Sequence, residues 1–161
     1  MARGRSVRLL GEIPEKYTPD FMERLDRRTV LGKAVSQRFA TVTADCGGIE
    51  GLAHAKIGLI RRFLWMECVI ESIELQLAAG EQIDIGTYTQ LTNTWLGLAR
   101  TLGLERLSLI CFEKNIRAMR WYARLGFQEL RRRSIVPHPF LHYREGNAIL
   151  LACQSDEFAN V

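Results

Sequence analysis

Residues 107–127, LSLICFEKNIRAMRWYARLGF, decide how this chain is read. Leu107 to Phe112 is a short, almost wholly apolar run, the pattern of a buried strand. Asn115 stands where a helix begins, because its short amide can accept a hydrogen bond from a helix N–H that has no other partner. Ile116, Met119, Trp121, Tyr122 and Leu125 then outline a short helix, and Gly126 supplies the left-handed residue that ends it. Downstream, Phe127 to Arg133 reads as a strand, Pro137 and Pro139 mark a loop, and Asn147 to Cys153 reads as a final buried strand.

Upstream, the period changes from two to about three and a half. A basic arm (Arg3, Arg5, Arg8) leads to Thr18-Pro19, which predicts a helix running to about Ala44 with Phe21, Leu25, Val35, Phe39 and Val42 inward. Cys46-Gly47-Gly48 breaks it. A second helix is expected from Ala53 to Ala79, where Leu59, Phe63, Met66, Ile70, Ile73 and Leu77 form one apolar stripe. Arg61, Arg62, Glu67, Glu71 and Glu74 fall on its outer face, and Gly80 closes it. A third is expected from Thr87, with Gln90 completing a capping box, through Tyr88, Leu91, Trp95, Leu98 and Leu102 to Gly103. The fold expected is therefore α+β: N-terminal amphipathic helices in a bundle or hairpin, then a small β-α-β-β element. The segments are 1–103 (helical, with the basic arm), 104–153 and a polar tail, 154–161.

Composition narrows the function classes. A chain of 161 residues that is 47% hydrophobic has enough apolar side chains for a core. The formal net charge of +4 permits nucleic acid as a partner without demanding it. The four cysteines, Cys46, Cys68, Cys111 and Cys153, are widely spaced and form no metal motif, so each is expected to act as a small buried hydrophobe in a reducing compartment. No secretion pattern opens the chain, and no apolar run approaches the roughly 20 residues of a membrane span, so a soluble, cytoplasmic protein is expected.

The stretch from Leu107, LSLICFEKNIRAMRWYARLGFQE, with its continuation SIVPHPFLHYREGNAILLA, resembles the closing strand-helix-strand of the GNAT superfamily of N-acetyltransferases. The resemblance covers about residues 104–152. It implies transfer of an acetyl group from acetyl-CoA to an amine acceptor; no metal is expected, because the Cys and His spacing offers no ligand set. It assigns coenzyme A contacts to Phe112, Asn115, Arg117 and Ala118, Asn115 lying along the cofactor arm, and makes Tyr122 the acid that protonates the departing thiolate. A phenol of pKa about 10 suits that role. The alternative for the same two residues is structural: Asn115 as a helix cap and Tyr122 packed on the sheet.

The superfamily also holds the cofactor pyrophosphate with an Arg/Gln-x-x-Gly-x-Gly/Ala loop at a helix N-terminus. Neither Thr29-Val30-Leu31-Gly32-Lys33-Ala34 nor Arg8-Leu9-Leu10-Gly11-Glu12-Ile13 fits it in sequence and order, and residues 60–85 read as a helix instead. The chain is thus expected to be an incomplete relative, weak or inactive. Its first hundred residues are more weakly similar to small helical proteins of bacterial phage and mobile elements. A fusion of two unrelated segments near LARTLGLERLSL accounts for the change, and a sheet continuous with strands from residues 1–100 would refute it. The alternative function is a non-enzymatic helical interaction or nucleic-acid-associated protein.

Three further features bear on function. His138 and His142 are four apart, but the flanking prolines oppose a helix that would aim both at one metal, and His54 stands alone. Arg106, Lys114, Arg117, Arg120, Arg124 and Arg131 to Arg133 are dense enough to meet phosphates, or simply line a solvated face. A lone three-stranded element would expose apolar faces unless the helices or a second copy cover it, so a homodimer through the sheet is one way to complete the fold.

Overall fold

A computed structural model of the chain describes residues 12–136 and 143–154. The arm carrying Arg3, Arg5 and Arg8, the loop with Pro137, His138, Pro139 and His142, and the tail beyond Gln154 lie outside the described residues. The elements, in order, are α1 (Phe21–Arg24), α2 (Val30–Asp45), a 3-10 turn at Ile49–Gly51, α3 (His54–Ala78), α4 (Ile85–Leu102), β1 (Arg106–Phe112), α5 (Ile116–Arg124), β2 (Gln128–Ser134) and β3 (Asn147–Gln154). The chain is α+β: packed helices, then a three-stranded antiparallel sheet with an interleaved helix. It divides into two compact units, one of residues 1–73 and 85–104, the other of 74–84 and 105–161.

In the first unit the single helix expected from Thr18 to Ala44 is two. Leu25 is extended, Asp26 Oδ1 accepts the Arg28 backbone N–H at 2.9 Å, and the chain turns before restarting at Thr29, whose hydroxyl caps the Gly32 N–H at 3.0 Å. The turn needs the glycine: a Cβ on Gly32 would stand 2.2 Å from the Asp26 carbonyl oxygen. The apolar periodicity survived the break because Phe21, Leu25 and Val35 are all buried in the same core. Cys46-Gly47-Gly48 ends α2 as expected, both glycines taking positive φ (100° and 89°).

α3 buries more than a stripe. Ile60, Leu64, Cys68, Val69 and Ser72 join Phe63, Ile70 and Ile73 inside, while Leu59, Met66 and Leu77 are only half-buried. The Ser72 hydroxyl is satisfied by the Cys68 carbonyl, 2.7 Å away. Phe63 stacks on Trp95 of α4 with ring centroids 5.4 Å apart, joining the two helices. The segment before α1 lies along α3: Trp65 Nε1 donates to the Pro14 carbonyl at 2.9 Å, Tyr17 meets Trp65 edge-on, and Arg61 reaches the Pro19 carbonyl and Glu23. α4 begins at Ile85, so Thr87 lies inside the first turn and is not the N-cap.

In the second unit the sheet order is β1-β3-β2, both pairings antiparallel. β1 is not buried throughout as its composition suggested. Leu107 and Cys111 are buried while Ile110 is 65% exposed, because alternate side chains take opposite faces and only one face is covered. β3, the middle strand, carries the core residues Ile149, Leu151 and Cys153. β2 runs one residue later than expected and is exposed along its whole length, with a bulge between Glu129 and Arg131. α5 brings Ala118 and Tyr122 into the core, its C-cap Leu125 joins them, and Gly126 follows with φ 87°. All described strands follow residue 105; the described part of residues 1–104 contributes none.

Candidate functional site

The residues singled out in the sequence gather around α5. Asn115 is its N-cap: Oδ1 accepts the Ala118 N–H at 3.3 Å. Its other amide atom, Nδ2, donates to the backbone carbonyl of Glu74 at 3.4 Å. Seven residues on, two helical turns away on the same face, Tyr122 donates its hydroxyl to the Glu74 carboxylate. Glu74 thus receives both side chains. It opens the last turn of α3, and that turn belongs to the second unit with the sheet.

Burial is nearly complete. Tyr122 keeps 2% of its surface, Ala118 none and Asn115 7%. The Tyr122 ring meets Phe127 edge-on, with centroids 5.3 Å apart. Phe112 is half-buried and packs against Tyr143 with centroids 5.4 Å apart. Arg117 is exposed, so of the five residues assigned by resemblance it alone faces solvent fully. Cys111 lies near the same glutamate. Burial first, then the Glu74 charge, pushes its thiol up to about 12, which leaves it a poor nucleophile.

Glu74 was assigned in the sequence to a solvated helix face, and no local pattern distinguishes it from Glu67 or Glu71. Its contact with Tyr122 spans 48 positions and exists only after folding. A second partly buried acid was missed in the same way. Glu67 and Glu71 turn toward Arg38 of α2, at 3.8 and 2.7 Å. Trp95 offers its indole N–H toward Glu67, although the buried Nε1 completes no hydrogen bond of normal geometry. Burial is the main cause, and the Glu71 charge adds to it, of a Glu67 carboxyl pushed up to about 7 against the pull of Arg38.

A third cluster, also unread in the sequence, holds the turn into β3. Glu113 accepts the Asn147 backbone and side-chain N–H groups at 2.8 and 2.9 Å and the Arg132 guanidinium at 2.8 Å. Gly146, at φ 99°, lets the chain pass beside that carboxylate.

The segment Thr29 to Ala34 is a helix start whose cap is its own Thr29, and the larger part of Arg8 to Ile13 lies outside the described residues. Residues 60–85 hold most of α3 and the turn into α4. Among the described residues no group of three or more His, Cys, Asp or Glu side chains is placed to hold a metal ion, and no helix is long and apolar enough to cross a membrane. No family model, no curated protein and no solved structure matches the chain.

Proposed function

We propose that this chain is a relative of the N-acetyltransferases that keeps their closing β-α-β-β segment as a structural element, and that it works as a helical interaction protein without transferring acetyl groups. The observation that carries this reading is Glu74. It takes the Tyr122 hydroxyl on its carboxylate and the Asn115 amide on its carbonyl. The side chain that would protonate a thiolate and the one that would lie along a cofactor arm are both turned to the end of α3. The burial of Tyr122 and Ala118 supports the same reading, since a thioester would have to displace Glu74 to meet the phenol. The N–H of Ala118, a donor a phosphate would need, is held by Asn115.

One observation favours a second reading, weak acetyl transfer. Asn115 and Tyr122 stand at the start and near the end of one short helix, as the resemblance requires. For that reading Tyr122 would have to leave Glu74. Calorimetric titration of acetyl-CoA into the full chain separates the two, with Tyr122→Phe alongside. We expect no binding at millimolar ligand. Binding in the micromolar range, about 8 kcal/mol, overturns the proposal and calls for a screen of amine acceptors.

A further inference from the structure

The face of the sheet opposite Cys111 and Ile149 carries the strongest unassigned feature. Register places Ile110 beside Leu150 and Arg131 in one row, and Ala148 beside Arg133 in the next. These five residues line an open groove of about 250 Å³, with Ile110, Ala148 and Leu150 across its floor and the aliphatic stems of Arg131 and Arg133 along one side. β2 bounds the groove and is an edge strand with every residue exposed. Its other face is internally matched, since Arg132 pairs with Glu129 at 2.9 Å and with Glu113 at 2.8 Å. Among the described residues no acidic group lies within ion-pair distance of Arg131 or Arg133.

We propose that the β2 edge binds an extended acidic segment of a partner protein as a fourth strand, with carboxylates at alternate positions set against Arg131 and Arg133. This rests on the reading of the chain as an interaction protein and names its partner class. An edge strand supplies outward backbone donors and acceptors that a peptide in extended form satisfies. Arg131 and Arg133 are two residues apart, so their Cα atoms are separated by roughly 6.6 Å along the strand, the same repeat as alternate carboxylates on the incoming chain. Directly opposed charges of opposite sign favour that register, and like charges oppose it. A second copy docked antiparallel with Arg132 at its centre would set Arg131 against Arg133, so charge disfavours that pairing. The open edge favours a peptide, because an extended chain matches its backbone donors and acceptors while the bases and phosphates of a single-stranded nucleic acid do not.

The test uses the full ¹⁵N-labelled chain and a capped peptide alternating glutamate and threonine, followed by amide chemical shifts at low salt. The expected result is shifts concentrated in Gln128 to Ser134, with smaller ones on the neighbouring strand β3 and none on β1. Affinity should fall at least about tenfold in an Arg131→Ala/Arg133→Ala variant that keeps its circular dichroism, and a lysine–threonine peptide should not bind. Arg133→Gln alone serves if the double variant loses its fold. Absence of peptide binding, equal binding by the variants, or stronger titration of the same amides by an oligouridylate overturns the proposal. Titrating acetyl-CoA into the same sample keeps the two readings apart. Failure of the peptide without acetyl-CoA binding removes only this partner, whereas acetyl-CoA binding removes the interaction reading itself.

Discussion

At the scale of single residues, Glu74 and Glu67 contribute most and were read least. Tyr122→Phe deletes the hydroxyl that Glu74 accepts and leaves a partly buried carboxylate short of a donor. We expect a loss of about 1–3 kcal/mol in urea unfolding. Glu67 makes a pH-dependent contribution whose sign follows from its raised pKa. Its carboxyl titrates at about 7 in the folded chain against an ordinary 4.5. The folded state therefore holds that proton to higher pH than the unfolded state. The associated stability is fully present below about 4.5 and is lost as pH rises through about 7. With 22% of the Glu67 side chain still exposed, the loss is on the order of 2 kcal/mol. Glu67→Gln should flatten the unfolding free energy across that window, and a profile as steep as the parent's would show that another group is responsible. Asn115 was legible because an asparagine before a short amphipathic helix is a cap by local chemistry alone. Its second bond, to the Glu74 carbonyl, was not, since it joins positions 41 apart.

At the scale of elements, caps and stops were readable and breaks were not. Gly126, Gly80 and Gly103 stop helices at positive φ, as their place after apolar periods implied. The division of the first expected helix at Leu25 to Thr29 was hidden because both pieces present apolar residues to one core. Gly32 holds that division. Its added Cβ would collide with backbone, which cannot swing away, so Gly32→Ala should cost about 1–3 kcal/mol even though alanine is the better helix former. Thr29→Ala removes the cap of the same helix and should cost about 1 kcal/mol. Thermal unfolding of the two variants checks both, and a stabilised Gly32→Ala would refute the close approach. In the sheet, a run such as Leu107 to Phe112 cannot announce its exposed side. Which of its two faces is covered depends on where α5 lands.

At the scale of the molecule, the four cysteines are free and unequal. Cys68, Cys111 and Cys153 are buried and Cys46, at the end of α2, is half-exposed. Burial pushes Cys68, like Cys111, up to about 12. A disulfide-exchange reagent at mildly alkaline pH should therefore label Cys46 quickly and the other three only as the chain opens, read by mass spectrometry of the native protein. Rapid labelling of Cys68 in the first unit, or of Cys111 in the second, would show that unit to be open under native conditions.

What the sequence by itself determined is most of the elements and many of their ends: the longer helices by apolar period, β1 and β3 by short apolar runs, and stops by glycine. These are local properties, set by dihedral preferences and by which neighbours along the chain share a face. The tertiary structure alone decided where the charged residues went. Glu67, Glu71 and Glu74 stand on one helix with nothing in their own neighbourhood to separate them, yet two face Arg38 and one holds Tyr122 and Asn115. Arg131, Arg132 and Arg133 are consecutive and alike, yet the middle one is paired and its neighbours face an open groove. The partner of a charge is chosen by distance in space, and for the three glutamates that distance is closed by chain tens of positions away.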